Sequence, residues 1–463
     1  MKKITLASLI TLIISLTFIF SACSGGNNNQ PVKEKTINGV NYSDCAIVYS
    51  AAANDYTKRA AEYIKNAMTV GDTAPKLVTD AASCDAKYFI VVGETEMDIS
   101  KKLDEETAGV EFAVLAEGNE IALEANYFVI AAAAYYFVET YIANTDDATV
   151  AATREVRTPI TKEAKNFILL IGDGMGQSHT KLPGVIDADC PYSDGEDIFY
   201  GYLLPNEGRA STNSLSGVTD SAASATALAT GYKTANKTIG QDAYGNNLRS
   251  LTELALSLGK SAAVMSTEKS TGATPSAFSA HTDNRNNTSD IQDQQDILQY
   301  DKGVIIECNY NQYDVGGVKY IRKTINTTLD TLAKNDKGFF LMYEEAYIDK
   351  HAANNDIVNT YLALMRFNQA IACFMEFAFY NPETMVIITA DHETGGLTPN
   401  GSGFSFTTED HTGAEVPVFA YGEGSEIFNN KNYENTEISQ TIAYFWGITD
   451  FGDTASFKPL QIK

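Results

Sequence analysis

The chain has 463 residues, of which 44% are hydrophobic and 20% are charged, so it is long enough for more than one domain and a sizeable buried core. Its 59 acidic residues outnumber its 34 lysines and arginines, which gives a formal net charge of -25 at pH 7. A surface this acidic repels polyanions, which argues against nucleic acid and anionic membrane surfaces as partners.

The N-terminus is typical of an export signal. Two lysines precede a largely apolar run over residues 9–20, and two small residues then lead directly into Cys23. A cysteine in this place resembles the lipidation site of bacterial lipoproteins. We therefore expect residues 1–22 to be a lipoprotein signal peptide, Cys23 to carry a lipid, and residues 23–35 to be a flexible tether. The protein would then be exported and anchored on the periplasmic or cell-surface side of a bacterial membrane, with an uncleaved membrane anchor as the alternative.

Residues 36–144 have the pattern of a small α/β domain. Segments with strand-like or helix-like spacing cover residues 46–49, 60–64, 88–93, 110–114, 121–125 and 128–141. The turn at Gly118-Asn119 predicts a hairpin between the fourth and fifth of these segments. No catalytic constellation is found here, so we interpret the stretch as an accessory domain with a packing or positioning role. The mostly polar residues 145–163 lack a sustained apolar period and are predicted to be a linker.

The cysteines argue against a zinc-finger framework, because the five beyond Cys23 are widely scattered and form no CxxC pair. Cys45 and Cys84 can form a disulfide in an exported protein, and the sequence leaves this pairing open.

Residues 164–463 are predicted to form a larger α/β domain. Three apolar runs end in acidic residues, at Asp173, Glu344 and Asp391. Such runs are typical of central parallel strands, whose carboxyl ends meet at one edge of the sheet. We expect a doubly wound, mostly parallel central sheet flanked by helices, with a metal site at that edge.

Six motifs in this domain resemble those of the alkaline phosphatase family and follow the family's order. They are Asp173-Gly174-Met175-Gly176, Thr219-Asp220-Ser221, Ala273-Thr274-Pro275 with Arg285 downstream, Glu344 to Lys350, Asp391-His392, and His411-Thr412-Gly413. One such motif is weak evidence, whereas six in order are strong. The resemblance implies metal-dependent hydrolysis of phosphate monoesters through a covalent phosphoserine, and it leaves a homodimer open.

The resemblance assigns the substrate-handling roles to three residues. Ser221 would be the nucleophile, at a helix start where backbone N–H groups favour anions. Arg285 would clamp two phosphate oxygens, and Lys350 would assist through a water. The alternatives are a helix cap for Ser221, a surface ion pair for Arg285 and a solvated Lys350. Since so acidic a protein repels phosphate esters, the site needs local positive charge from these cations and from metals.

Two metal sites follow from the same resemblance. Asp173, Asp391 and His392 would hold the Zn²⁺ that contacts the serine. Asp173, Thr274 and Glu344 would hold Mg²⁺, which prefers oxygen ligands. Gly272 stands where relatives carry Asp or His near the magnesium, which leaves magnesium affinity open.

A second zinc site departs from the family pattern. Asp349 and His411 match two of its ligands, but the third, four residues after Asp349, is Ala353. His351 is two residues after Asp349, and on a helix it would point about 200° away from it. His351 is therefore either a ligand in an irregular segment or a bystander.

The departure at Ala353 keeps two alternative functions open. One is a phosphodiesterase of the same superfamily. The other is a catalytically impaired surface lipoprotein that binds phosphate or glycans.

Overall fold

The computed structural model describes residues 34–79, 84–103, 107–186, 190, 198–309 and 317–455. The predicted signal peptide, the lipid site Cys23 and nearly all of the predicted tether lie outside the described residues.

The first part of the chain forms a six-stranded sheet packed against helices. Its strands and helices are β1 (Thr36–Ile37), β2 (Val40–Asn41), β3 (Cys45–Tyr49), α1 (Asp55–Ala67), β4 (Lys76–Thr79), β5 (Tyr88–Val92), α2 (Asp98–Lys102), β6 (Phe112–Glu117), β7 (Glu120–Glu124), α3 (Ile130–Phe137), β8 (Asp147–Ala148) and β9 (Thr153–Arg157). The sheet order is β4-β3-β5-β7-β6-β9, parallel as far as β7 and antiparallel beyond it. Strands β6 and β7 are the predicted hairpin. Cys45 and Cys84 both carry free thiols, so the disulfide that the sequence left open is not formed.

The prediction of a linker over residues 145–163 needs correction. Strand β8 pairs with β1, and β9 is the edge strand of the six-stranded sheet, paired with β6. Strand β9 has the sequence Thr-Arg-Glu-Val-Arg and is largely exposed, so it needs no apolar side to bury. A polar edge strand of this kind has no hydrophobic period by which it could be recognised.

The second part of the chain forms an eight-stranded sheet with helices around it. Its strands and helices are β10 (Asn166–Gly172), β11 (Asn206–Ser211), α4 (Ser221–Thr230), α5 (Leu251–Ser257), β12 (Ser261–Ser266), α6 (Ala273–Ala277), α7 (Thr288–Asp296), β13 (Ile305–Cys308), α8 (Gly317–Leu332), β14 (Phe339–Glu345), α9 (Tyr347–Ala352), α10 (Ile357–Tyr380), β15 (Thr384–Thr389), β16 (Glu393–Thr394), β17 (Thr398–Asn400), β18 (Gly403–Ser405), β19 (His411–Thr412), β20 (Val416–Tyr421), β21 (Asn432–Glu434) and α11 (Thr436–Phe445).

The order of the eight strands confirms the predicted fold class. It is β13-β12-β14-β10-β15-β20-β11-β21, and the first five of these strands are parallel to one another. Strands β10, β14 and β15 are buried at every residue, as expected of central strands covered on both faces. The register pairs Ile171 of β10 with Glu344 of β14 and with Thr389 of β15. The acidic residues at the ends of these three strands therefore lie at one edge of the sheet.

Helix α10 lies between the two parts of the chain. Within the described residues it is the one helix long and apolar enough to cross a membrane, but 89% of its apolar window is buried inside the protein. It packs against α3 of the first part and against β10, β14 and β15 of the second. Its apolar character therefore belongs to the core that joins the two parts.

Candidate active site

Ser221 is the first residue of α4, directly after the N-cap Asp220. The Asp220 side chain accepts a hydrogen bond from the N–H of Ala223 at 3.0 Å, so the cap is the aspartate and not the serine. The Ser221 hydroxyl is left to face the site, where its Oγ lies 3.2 Å from Nε2 of His392. The hydroxyl therefore lies at a helix N-terminus, which favours anions, and next to an imidazole.

Asp173, Asp391 and His392 come together at the carboxyl ends of β10 and β15. Their ligand atoms all lie within 4.8 Å of one another, as a metal site requires. Nε2 of His392 is 3.2 Å from Oδ2 of Asp391 and 3.5 Å from Oδ1 of Asp173. The turn after Asp173 needs glycine, because Gly174 has a φ of +77° and a Cβ there would lie 2.7 Å from Cα of Asp349.

Asp349, His392 and His411 form a second group within the same distance limit. His411 Nδ1 contacts the carbonyl of Thr219 at 3.0 Å, and its Nε2 lies 3.6 Å from Oδ1 of Asp349. The rings of His392 and His411 stack with centroids 3.6 Å apart. The two groups thus share His392 and lie side by side.

The structure does not bring His351 into either group. Residues 347–352 form the regular helix α9, so His351 and Asp349 point in different directions. The His351 ring lies beside Tyr347, with centroids 5.9 Å apart. Ala353 stands one helical turn after Asp349, and its N–H donates to the Asp349 carbonyl at 2.8 Å. The prediction that His351 is a ligand therefore has no support in this geometry, since it required an irregular segment.

A third group surrounds Glu344 at the end of β14. Thr274, in α6, and Glu344 are fully buried, and Asp173 is 5% exposed. One Glu344 oxygen accepts a hydrogen bond from the Ser266 hydroxyl. In the described residues, the other Glu344 oxygen, the Thr274 hydroxyl, Oδ1 of Asp173 and Oδ2 of Asp391 have no hydrogen-bond partner. Buried polar atoms normally have partners, so these four oxygens are available to hold a cation.

The pKa shifts show that the buried carboxylates at this edge of the sheet repel one another. Burial, followed by the charges of Asp391, Asp349 and Glu344, holds the pKa of Asp173 well above its ordinary value. Burial and the neighbouring Glu268 raise the pKa of Glu344 to about 8. Burial lowers the pKa of His392 to about 4, so it is neutral at pH 7 and able to ligate a metal. Divalent cations would relieve the repulsion and occupy the orphaned oxygens.

Arg285 and Lys350 flank the acidic groups on different sides. Arg285 has a one-third exposed side chain, and its Nη1 lies 3.4 Å from Oδ2 of Asp220, next to the start of α4. Lys350 is held by Glu268, with Nζ 2.6 Å from Oε2, so it is not a freely solvated lysine. Arg285 is thus paired with the residue directly before Ser221, and Lys350 is the residue directly after Asp349.

The structure adds one candidate site residue, Thr394, that the sequence analysis missed. The Thr394 hydroxyl lies 2.5 Å from Oδ1 of Asp349 and 3.2 Å from Nδ1 of His392. Both contacts are satisfied when Thr394 donates to Asp349 and accepts from Nδ1–H of His392, which leaves Nε2 without a proton. Thr394 therefore orients one side chain of each histidine-containing group. Its place two residues after His392 was the available signal.

Comparison with known proteins identifies relatives across this part of the chain. The family model for alkaline phosphatase matches residues 164–320 and 320–406, more than half of the chain. Alkaline phosphatases 3 and 4 of Bacillus subtilis strain 168 are 26% and 29% identical to it, covering 63% and 61% of this chain and 91% and 72% of the relatives. A solved variant of the alkaline phosphatase from the Antarctic bacterium TAB5, with Mg bound in its M3 site, is 27% identical. It has a TM-score of 0.54 and covers 63% of this chain and 100% of that one.

Proposed function

The chain belongs to the alkaline phosphatase family, and from that premise we propose that it hydrolyses phosphate monoesters through a covalent phosphoserine at Ser221. One observation carries the proposal. The Ser221 hydroxyl lies at a helix N-terminus, 3.2 Å from Nε2 of His392, beside buried carboxylates with oxygens that have no hydrogen-bond partner in the described residues. A nucleophile, a phosphate-binding helix end and a ligand set for divalent cations thus occupy one edge of the sheet.

The residues present fit the cations that the family implies. Zn²⁺, which accepts imidazole and carboxylate, would be held by Asp173, Asp391 and His392. Mg²⁺ would be held by the oxygens of Asp173, Thr274 and Glu344, each of which has one hydroxyl or carboxylate oxygen without a hydrogen-bond partner in the described residues. A further zinc would find only Asp349 and His411 as matched ligands. When bound, the cations would lower the pKa of the serine hydroxyl and stabilise negative charge on the phosphate and the leaving oxygen.

The chain's own residues define two displacement steps. In the first, Ser221 Oγ loses its proton to solvent and bonds to phosphorus while the bond from phosphorus to the ester oxygen breaks, and the ester oxygen takes up a proton from solvent and leaves as the alcohol. In the second, water loses a proton and bonds to phosphorus, the bond from phosphorus to Oγ breaks, Oγ regains a proton, and phosphate is released. The first N–H groups of α4 face the phosphate oxygens throughout, and Arg285 supplies a bidentate donor from the Asp220 side.

A phosphodiesterase remains the second candidate, and Arg285 separates it from a monoesterase. A terminal phosphate dianion offers two charged oxygens to a guanidinium, whereas a diester has one fewer anionic oxygen. We expect Arg285→Ala to reduce turnover of an aryl phosphate monoester by about 10- to 100-fold, the worth of a hydrogen bond between charged groups. The matching aryl diester should lose clearly less. Equal losses on both esters would remove Arg285 as the basis for choosing the monoester.

The test of the mechanism is the fate of Ser221. With zinc and magnesium supplied, the wild type should hydrolyse an aryl monoester, and Ser221→Ala should lose at least about 10³-fold in turnover while keeping its fold. Acid quenching during turnover of ³²P-labelled substrate should trap label on a peptide containing residue 221. Label on another residue would contradict the assignment. Absence of turnover in the wild type at saturating metals would favour the impaired surface protein.

We also propose that the enzyme is exported and held at a bacterial membrane by a lipid on Cys23. The support is the order of charged, apolar and small residues before that cysteine. Expression of the full chain in a bacterium should give a membrane-bound form that incorporates labelled fatty acid, and Cys23→Ser should release it. Fatty-acid labelling that survives Cys23→Ser would contradict this.

A further inference from the structure

The space next to Gly272 is filled by another residue's carboxylate. A Cβ added at Gly272 would lie 2.0 Å from Oε1 and 2.4 Å from Cδ of Glu268. No side chain fits there unless Glu268 moves away. Glu268 thus places its carboxylate where a side chain at position 272, the N-cap of α6, would begin. Thr274, two residues after Gly272, provides the hydroxyl of the candidate magnesium site that has no hydrogen-bond partner in the described residues.

Glu268 is held firmly in this position. Its side chain is 15% exposed, and Oε2 accepts from Nζ of Lys350 at 2.6 Å. Its N–H donates to the Ser266 hydroxyl at 3.0 Å, and its carbonyl accepts from the N–H of Asn309 at 2.7 Å. The same Ser266 hydroxyl donates to Glu344, so one serine fixes both glutamates.

The ion pair with Lys350 leaves part of the carboxylate unused. Lys350 contacts Oε2, while Oε1 has no hydrogen-bond partner among the described residues and is the oxygen nearest to Gly272. The negative charge of Glu268 also acts on Glu344 and Asp173, whose pKa values it helps to raise. A carboxylate that only anchored a lysine would gain nothing from adding charge to an already acidic group.

From these contacts we propose that Glu268 supplies the outer carboxylate of the magnesium site, in place of a side chain at position 272. Glu268 then joins Asp173, Thr274 and Glu344, which makes an all-oxygen set that suits Mg²⁺. Lys350 balances part of the added charge, and Gly272 is required because any Cβ would displace the Glu268 carboxylate. The inference rests on the proposed metal-dependent function, but its test does not depend on catalysis.

The experiment breaks the same ion pair from each side and measures magnesium binding by calorimetric titration, with zinc supplied in advance. Glu268→Gln should weaken Mg²⁺ binding by about 10- to 100-fold, the usual effect of losing an outer-shell partner. Lys350→Gln removes a positive charge and keeps the carboxylate, so it should bind Mg²⁺ at least as tightly as the wild type. Glu117→Gln breaks an exposed pair with Lys102 in the six-stranded sheet's part of the chain and should change nothing.

The results separate the proposal from a purely structural ion pair. Equal weakening in Glu268→Gln and Lys350→Gln, or unchanged binding in Glu268→Gln, would overturn it. A second pair of variants guards against misfolding. Glu268→Ala should bind magnesium more weakly. Adding Gly272→Asp should restore most of the affinity, because the new carboxylate would enter the space that the Glu268 carboxylate occupies in the wild type. Aryl phosphate turnover by the wild type is recorded separately, so failure of the proposed reaction and failure of the Glu268 assignment are distinguishable.

Discussion

Two neighbouring glutamates of strand β14 have opposite surroundings. Glu344 and Glu345 are both fully buried, and because they are consecutive in a strand they point to opposite faces. Glu345 makes a two-pronged ion pair with Arg366 and accepts further hydrogen bonds from Thr267 and from the N–H of Tyr347. Glu344 receives one hydroxyl, from Ser266, and its other oxygen has no partner among the described residues.

A buried glutamate at the contact between the two parts of the chain is paired with arginine in the same way as Glu345. Glu376 of α10 accepts from Arg59 of α1 at 2.7 and 2.9 Å and from Arg322 of α8 at 2.7 Å. The ring of Tyr56 lies against both guanidinium groups, 5.0 Å from each. Where burial of charge serves structure, an arginine neutralises it. At the carboxyl edge of the large sheet, no arginine among the described residues pairs with Glu344, and that difference is typical of an acidic group with a functional role.

Neutralising each glutamate in turn tests whether Glu344 and Glu345 differ in their contribution to stability. Glu345→Gln leaves the Arg366 guanidinium buried without its carboxylate, so it should lower the free energy of unfolding by about 3–5 kcal/mol. Glu344→Gln replaces a carboxyl group that keeps its proton up to about pH 8, so it should leave the metal-free protein at neutral pH as stable as the wild type or more stable. Urea denaturation in the presence of a chelator measures both. If Glu344→Gln costs as much as Glu345→Gln, then Glu344 is part of the structural framework and the comparison is wrong.

The pH dependence of the free energy of unfolding is a second test of the surroundings of Glu344. The pKa of Glu344 rises from an ordinary 4.5 to about 8 in the folded protein, so the folded state keeps a proton that the unfolded state loses between these values. The stability linked to this proton is complete below pH 4.5 and gone by about pH 8. It should fall in the metal-free protein by at most about 1.4 kcal/mol per pH unit for one proton.

Cations compete with that proton, so stabilisation by added zinc and magnesium should grow as the pH rises over this range. Thermal unfolding at several pH values, with chelator and with metals, measures both trends. Glu344→Gln is the control, and it should flatten the dependence in the metal-free protein. A metal-free wild type as stable at pH 8 as at pH 5 would show that Glu344 is not protonated there.

Sequence alone predicted the parts of this edge that lie along single strands. Asp173 and Asp391 follow continuous apolar runs, and such runs become central strands because they are buried on both faces. The carboxyl ends of parallel central strands lie at one edge of the sheet, so the pattern of these runs was enough to predict that Asp173 and Asp391 are neighbours. The fold class followed for the same reason, whereas strand β9 did not, because an exposed edge strand carries no apolar pattern.

The residues that sequence missed act across long separations. Glu268 matters because it enters the space beside Gly272 and pairs with Lys350, which is 82 residues away. Thr394 matters because it contacts Asp349, 45 residues away. Glu268 belongs to no motif by type or spacing, and the one signal for Thr394 was its position two residues after His392. Their roles appear only when the turns around the sheet edge are packed, which pattern and propensity do not specify.

The smallest of the expected effects concerns the second zinc site. Asp349 and His411 face one another there, and no third protein ligand comes from α9, because His351 lies beside Tyr347. Catalytic zinc sites usually have three protein ligands, so this one should bind weakly. Position 353 is one helical turn after Asp349 and faces the same way. Ala353→His should therefore tighten binding at this site by about tenfold or more, which corresponds to about 1.4 kcal/mol.

His351→Ala is the matched control for that substitution, because it removes an imidazole from the same helix but from the other side. It should leave zinc affinity unchanged, both alone and combined with Ala353→His. Titration of zinc against a competing chelator measures the affinities, and thermal unfolding with and without zinc gives an independent readout. If His351→Ala abolishes the weaker zinc response, α9 rearranges when metal binds and His351 is the ligand after all. If instead Ala353→His changes nothing, another residue already serves as the third ligand beside Asp349 and His411. This zinc site would then be as complete as the one formed by Asp173, Asp391 and His392.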